Sequence, residues 1–258
     1  MNVFDLFRLD GRVALVTGSS KGLGKAIALG FAEAGADLVL SARTGEALEA
    51  TRQEIAEKTS RKVYAKVSDL SKPGEPQRLA EWSREQLGPI DILINNAGSN
   101  EPQSLIQTTD ESWERIIRLN LTSCMQLARA VAPGMIERKW GRIIHLSSVM
   151  AVASNPGRGA YSATKAALIG MARAHALELG PHGITVNCIG PGPIMTDLPM
   201  SLLSADQQKV FAERTAVKRW GQPIEVVGPA LLLASEAGRN MTGTMLLVDG
   251  GLICRTFD

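Results

Sequence analysis

Short, continuous apolar runs alternate with longer stretches of helical periodicity from one end of the chain to the other. Arg12 to Thr17 (RVALVT) predicts a buried strand, and Gly24 to Ala34 a helix ended by Gly35. Asp37 to Ser41 predicts a second strand, Thr44 to about Lys58 a helix, Lys62 to Val67 a third strand and Glu75 to Leu87 a third helix. Ile90 to Ile94 comes next as strand four, then one long helical stretch from Glu111 to about Arg138. Arg142 to Leu146, Ile184 to Cys188 and Met245 to Val248 predict strands five, six and seven. Ala160 to Leu179 and Ile224 to Ser235 are the helices between them.

Strand–helix alternation predicts an α/β fold with a doubly wound, mostly parallel seven-stranded sheet and helices on both faces. Strands apolar along their whole length fit a sheet covered on both sides. No linker, repeat or low-complexity tract interrupts the pattern, so residues 1–258 are expected to form a single Rossmann domain. The least regular segment runs from Pro191 to about Arg219, with a helical patch near Ala205–Phe211. A long irregular segment in a compact domain is usually a functional lid or binding loop.

Charge changes this picture only by exclusion. Lys plus Arg is 28 and Asp plus Glu is 26, a formal net charge of +2 with no basic run. That leaves no electrostatic case for nucleic acid or an anionic membrane. With 45 % hydrophobic residues the chain is not of the disordered class. No signal-peptide pattern or membrane-length apolar run is present, and the expectation is a soluble cytoplasmic protein. Cys124, Cys188 and Cys254 give neither a disulfide framework nor a C-x-x-C knuckle. His145, His175 and His182 lack metal-ligand spacing, so no metal is expected, and His145 reads as a packing position.

The chemistry sits at strand ends. The first strand runs into Thr17-Gly18-Ser19-Ser20-Lys21-Gly22-Leu23-Gly24 and then a helix. Helix N-termini bind phosphate, and glycines let the backbone approach it. In a strand–turn–helix context the run reads as a dinucleotide site. Strand two ends in Ser41-Ala42-Arg43-Thr44, with no acid until Glu46. An acid there selects NAD and cations suit the 2′-phosphate of NADP. Lys21 and Arg43 therefore favour NADP(H) over NAD(H). Tyr161 and Lys165 stand four apart on a helix, which puts phenol and ammonium on one face. That spacing alone is common on solvated helices. Its context is not: Ser147-Ser148 ends strand five and Asn95-Asn96-Ala97-Gly98 ends strand four, at the same sheet edge. Ligands bind at strand carboxyl ends in open α/β sheets. A nearby cation favours a phenolate, which makes the pair a candidate acid–base. Ser148 could hydrogen-bond a substrate oxygen. Asn120 lies within the long helix.

Together these motifs resemble the short-chain dehydrogenase/reductase family from about Leu9 to Gly251, including Pro191-Gly192 and Asp249-Gly250-Gly251. The resemblance implies a carbonyl–alcohol oxidoreductase with Tyr161 as acid and base. Lys165 would support Tyr161 and hold the nicotinamide ribose. Ser148 would polarise the carbonyl, and Asn120 would hold a relay water. Thr196 and Ile194 would lie near the nicotinamide, Asp69 with Leu70 at the adenine, and Asn95, Ala97 and Gly98 along the cofactor. The family pattern also makes 191–219 a substrate loop and implies a homotetramer.

Two subgroups are similar. The 3-oxoacyl-(acyl-carrier-protein) reductases share Arg142-Ile143-Ile144 and Gly183-Ile184-Thr185-Val186-Asn187, with Arg129 a candidate for the rim of a carrier site. The gluconate 5-dehydrogenases and related polyol enzymes share Arg219-Trp220-Gly221 and the opening Leu6-Phe7-Arg8-Leu9-Asp10-Gly11. Ser99-Asn100-Glu101-Pro102 departs from the carrier-reductase pattern. The resemblance thus implies a 3-oxoacyl thioester or a sugar acid or polyol as substrate. A non-catalytic dinucleotide-binding regulator would usually lack the tyrosine or lysine. A P-loop is ruled out because Leu23-Gly24 follows Gly22.

Overall fold

A computed structural model describes residues 2–196 and 203–254. The seven apolar runs form seven strands: β1 Val13–Thr17, β2 Asp37–Ala42, β3 Val63–Val67, β4 Ile92–Asn95, β5 Gly141–Leu146, β6 Ile184–Pro191 and β7 Met245–Val248. They pair in parallel in the order β3-β2-β1-β4-β5-β6-β7. The order reverses between β1 and β4, where Ala14, Leu15 and Val16 stand beside Ile92, Leu93 and Ile94. A crevice opens at such a reversal, at the carboxyl ends of the strands.

The two faces carry separate cores because strand side chains alternate. Ala14, Val16, Leu38 and Leu40 pack against α1 (Gly22–Glu33), α2 (Gly45–Thr59) and α8 (Ile224–Ala234) through Ile27, Phe31, Ile55 and Leu233. Leu15, Val39, Leu93 and Ile143 pack the other way. They meet α3 (Glu75–Leu87), α5 (Ser123–Arg138) and α6 (Gly159–Leu179) through Leu79, Leu127 and Leu168.

Two elements differ from the periodicity. The expected long helix is α4 (Asp110–Ile117), a π turn over Arg118–Thr122, and then α5. A π turn carries an extra residue, so it rotates the facing of the residues beyond it. Asn120 lies in it and is 1 % exposed. β6 runs past Cys188 to Pro191, held by β7 in the register Cys188↔Met245 to Pro191↔Val248. The irregular segment contains α7 (Ala205–Arg214), opened by a Ser204–Gln207 capping box. Its residues 197–202 lie outside the described residues.

Below the sheet edge, a buried polar group separates β4, β5 and α5. The Asn95 amide nitrogen donates to Cys124 O at 3.3 Å and meets His145 Nδ1 at 3.0 Å. An amide NH₂ only donates, so Nδ1 accepts and the ring proton sits on Nε2. Nε2 has no partner among the described residues. Burial, then the neighbouring His175 and Lys165, push His145 down to about 3. Burial likewise raises the thiols of Cys124 to about 11 and Cys188 to about 12, so both stay protonated.

The neutral imidazole has a measurable consequence. Between its ordinary 6.5 and about 3, the unfolded chain takes up a proton that the folded chain refuses. Stability therefore falls as pH drops through that window. His145→Asn keeps a polar partner for Asn95 and removes the titration. Urea unfolding at pH 7 and at about pH 4.5 should show the wild type losing roughly 2 kcal/mol more than the variant. Equal losses would refute this account.

Candidate active site

The glycine-rich turn is built by a brace between β1 and β4. Thr17 Oγ1 accepts the N–H groups of Asn96 and Ala97, both at 3.0 Å, and donates to Ile94 O at 3.1 Å. The Asn96 amide donates to the carbonyls of Thr17 and Gly18, both at 2.9 Å. Glycine is required at two of these positions. A Cβ on Gly18, where φ is +64°, would meet Asn96 Nδ2 at 2.8 Å. One on Gly24 would meet Gly18 O at 2.3 Å. Ser19 Oγ accepts Ser41 N–H at 3.0 Å, and Thr51 Oγ1 donates to Ser20 O at 2.9 Å. Together these bonds tie the turn to β2 and α2.

The turn delivers the N-terminus of α1. Its N-cap, Lys21, makes no capping bond, and the first turn carries no acid. Free N–H groups and the positive end of the helix dipole are thereby left for an anion. Arg43, just past β2, is exposed and makes no hydrogen bond or ion pair among the described residues. It faces Asp69, whose carboxyl is held below its usual range. The largest cause is the Ser71 hydroxyl, and Arg43 and Lys72 add smaller effects. Leu70 is buried in the core on the α3 side.

The second half of the site is where α6 meets the end of β5. Ser147 Oγ donates to Lys165 O at 2.8 Å, and Lys165 Nζ donates to Leu146 O at 2.6 Å. These two bonds latch helix to strand. They place the ammonium 5.4 Å from the centre of the Tyr161 ring. Ser148 Oγ accepts Met150 N–H at 3.1 Å, capping the short turn Val149–Ala151. Asn120 holds the loop opposite: its amide donates to Ser99 O at 2.8 Å and accepts Ser99 N–H at 2.9 Å. Gly98 faces both groups. A methyl there would lie 3.3 Å from Asn120 Oδ1 and 3.6 Å from Lys165 Nζ.

Both halves open into one cavity of about 940 Å³. Lys21, Gly22, Leu23, Gly98, Ser148, Tyr161, Lys165, Pro191, Gly192, Ile194 and Thr196 line it. The far wall is tied down by Ile194, which bridges to Gly221, and by Trp220, which donates to Gln208 O at 2.8 Å and packs edge-on against Phe211. Gly18, Ser20, Gly24, Ala97 and Asn120 do not line the cavity; they support its walls. Arg43, Asp69 and Leu70 do not line it either; they follow the ends of β2 and β3.

The Asn95 side chain, 2 % exposed, turns inward to Cys124 and His145, which leaves its backbone to run along the cofactor edge. Asn96 takes the place at the turn. Strand alternation sends neighbours to opposite faces, and that is the signal by which the two asparagines can be told apart. Asn100, from the Ser99–Pro102 stretch, and Phe211 and Arg214, from the expected substrate loop, also stand in the cavity wall, as does Arg158, to which no motif in the sequence pointed.

Comparison with known proteins agrees with this architecture. A family model described as enoyl-(acyl carrier protein) reductase matches residues 18–253. The 3-oxoacyl-(acyl-carrier-protein) reductase of Aquifex aeolicus is 35 % identical over 245 residues, covering 95 % of this chain and 98 % of that protein. The gluconate 5-dehydrogenase of Gluconobacter oxydans is 35 % identical over 250 residues, covering 96 % and 97 %. A gluconate 5-dehydrogenase from Burkholderia cenocepacia, solved in complex with NADP and tartrate, superposes with a TM-score of 0.93 at 34 % identity over 99 % of this chain and 100 % of that one. The brace, the latched Tyr–Lys helix and these relatives agree: the chain belongs to the short-chain dehydrogenase/reductase family.

Proposed function

We propose that the protein is an NADP(H)-dependent oxidoreductase that interconverts a carbonyl and a secondary alcohol. The observation that carries this reading is the convergence of Ser148, Tyr161 and Lys165 with the glycine-rich turn on one cavity. The residues fit the cofactor. The turn is a cradle that a Cβ at Gly18 or Gly24 would fill, and the α1 N-terminus is uncapped. Lys21 and Arg43, neither hydrogen-bonded nor ion-paired through its side chain to a described residue, suit a 2′-phosphate. Among the relatives, the B. cenocepacia enzyme was solved with NADP.

When bound, the cofactor supplies or accepts hydride; the chain supplies the proton and the geometry. Ser148 Oγ already accepts from Met150 N–H, which leaves its own O–H to donate to the substrate oxygen. The Tyr161 hydroxyl delivers the proton in reduction and removes it in oxidation. Lys165 spends one of its three N–H bonds on Leu146 O and keeps two. Its cation stabilises negative charge on the phenol oxygen and holds the ribose hydroxyls. Asn120 fixes Ser99 and Gly98 against this lysine and keeps a relay water in register. The substrate is a 3-oxoacyl thioester, as the A. aeolicus relative's name supports, or a sugar acid or polyol, as the two gluconate 5-dehydrogenases support. We place the enzyme in the cytoplasm, which suits its three free cysteines. We also place it in a homotetramer, with the 81 % exposed Leu177 of α6 and Leu247 of edge strand β7 as surfaces to cover.

Two experiments test the reading. Tyr161→Phe should lower kcat by about 10²–10⁴-fold while the Kd for NADPH, from cofactor fluorescence, moves less than about threefold. Unchanged turnover would sink the assignment. Arg43→Ala should raise the KM for NADPH about tenfold and leave that for NADH nearly as it was, because one charge-assisted phosphate contact is lost. A wild type that prefers NADH, indifferent to this substitution, would overturn the cofactor choice.

A further inference from the structure

Among the described residues, the charges lining the cavity are all of one sign. Lys21, Arg158, Lys165 and Arg214 contribute to its wall, and no Asp or Glu does among the described residues. Lys21 belongs to the phosphate turn and Lys165 to the acid–base pair. Arg158 and Arg214 have no part in either. Neither guanidinium makes a hydrogen bond or ion pair with any described residue. Arg219, five residues beyond Arg214, is engaged by both oxygens of Glu225, at 2.7 and 2.6 Å.

The position of Arg158 adds to this. It is the N-cap of the 21-residue α6, it makes no capping bond, and the first turn of that helix carries no acid. A cation at the positive end of a helix is unfavourable unless an anion joins it. Arg158 is only half-buried and stands three residues before Tyr161. A third observation comes from the opposite loop. Asn100 lines the same cavity, and its Oδ1 is buried with no hydrogen-bond partner. A buried acceptor left unpaired is costly, and a hydroxyl donor would satisfy it.

We propose that the substrate is a small hydroxylated oxo acid whose carboxylate is bound by Arg158 and Arg214, with one of its hydroxyls donating to Asn100 Oδ1. This rests on the carbonyl–alcohol reading above and narrows it. A guanidinium presents a planar fork that matches a carboxylate, and a cavity walled by one sign of charge concentrates anions. The whole-chain charge of +2 conceals this, because carboxylates elsewhere balance it.

The test uses two compounds that differ only at one carbon: 5-keto-D-gluconate, with a carboxylate, and L-sorbose, with a hydroxymethyl group there. Purified enzyme with NADPH is assayed on both, and on acetoacetyl thioesters of coenzyme A and of acyl carrier protein. The keto acid should be preferred in kcat/KM. Arg214→Ala and Arg158→Gln should each reduce the ratio of acid to neutral kcat/KM about 10- to 100-fold, the value of a charge-assisted contact. Arg214→Lys should recover part of the ratio. NADPH affinity, measured alongside, reports whether each variant is folded. A ratio near one that neither substitution moves overturns the proposal and leaves the oxidoreductase reading intact. Preference for a thioester, with both ratios unmoved, does the same. If no carbonyl is reduced, calorimetry of the NADP⁺-loaded protein with D-gluconate and with D-sorbitol separates the two readings. Gluconate binding that is lost in Arg214→Ala keeps the anion site and removes the activity. Equal or absent binding removes both.

Discussion

The contact on which the site depends is the brace between Thr17 and Asn96. It spans the one place where strand order reverses, between β1 and β4. A single hydroxyl, Thr17 Oγ1, takes two consecutive N–H groups, and the Asn96 amide returns two bonds to the carbonyls of Thr17 and Gly18. The brace saturates backbone groups that the diverging strands would otherwise leave unpaired. It also sets where the α1 N-terminus points. The lack of a side chain at Gly18 and Gly24 has the same geometric origin, since a Cβ at either would strike the brace itself.

Parallel strands make the two edges of the sheet unlike, and the charges reflect the difference. At the amino ends of the strands, four arginines are matched. Arg12 and Arg138 both approach Asp91, Arg61 pairs with Asp37, and Arg142, 2 % exposed, reaches Glu236 and three backbone carbonyls. At the carboxyl ends, Lys21, Arg43, Arg158 and Arg214 have no such partners among the described residues. Paired charges hold a structure together, whereas unpaired cations along a cavity, here Lys21, Arg158 and Arg214, raise the local concentration of anions. An isolated surface ion pair contributes little to stability. The pairing at the amino edge therefore matters most where it is buried, at Asp91 and Arg142.

Much of this was legible in the chain. Apolar runs announce strands covered on both faces, and all seven expected strands are found, with ends shifted by at most three residues. The glycine turn, Ser148, Tyr161 and Lys165 were legible because each sits where a strand meets a helix. Less legible was anything that depends on a departure from ideal periodicity. The π turn at Arg118–Thr122 is invisible to a 3.6-residue pattern, and it carries Asn120. Asn95 and Asn96 are chemically identical, and only the end of β4 decides which one faces the turn. Arg158 belongs to no motif, and Arg214 is one of several cations in the expected substrate loop. What distinguishes them is the absence of a partner and a shared cavity, which are properties of three-dimensional neighbours.

The site also separates groups that hold it together from groups that are free to react. Ser147 and Ser148 are adjacent and alike, yet Ser147 donates its proton to Lys165 O while Ser148 accepts from Met150 N–H and keeps its own. The first serine is spent on position and the second is available to a substrate. Lys165 does both, since one N–H latches α6 to Leu146 and the others face the cavity. Removing its ammonium would therefore alter placement and charge together. The Tyr161 hydroxyl has no hydrogen bond among the described residues. It is the one member of the group whose polar atom makes no bond to a described residue, and so the one whose removal tests the proposed chemistry with least effect on the fold.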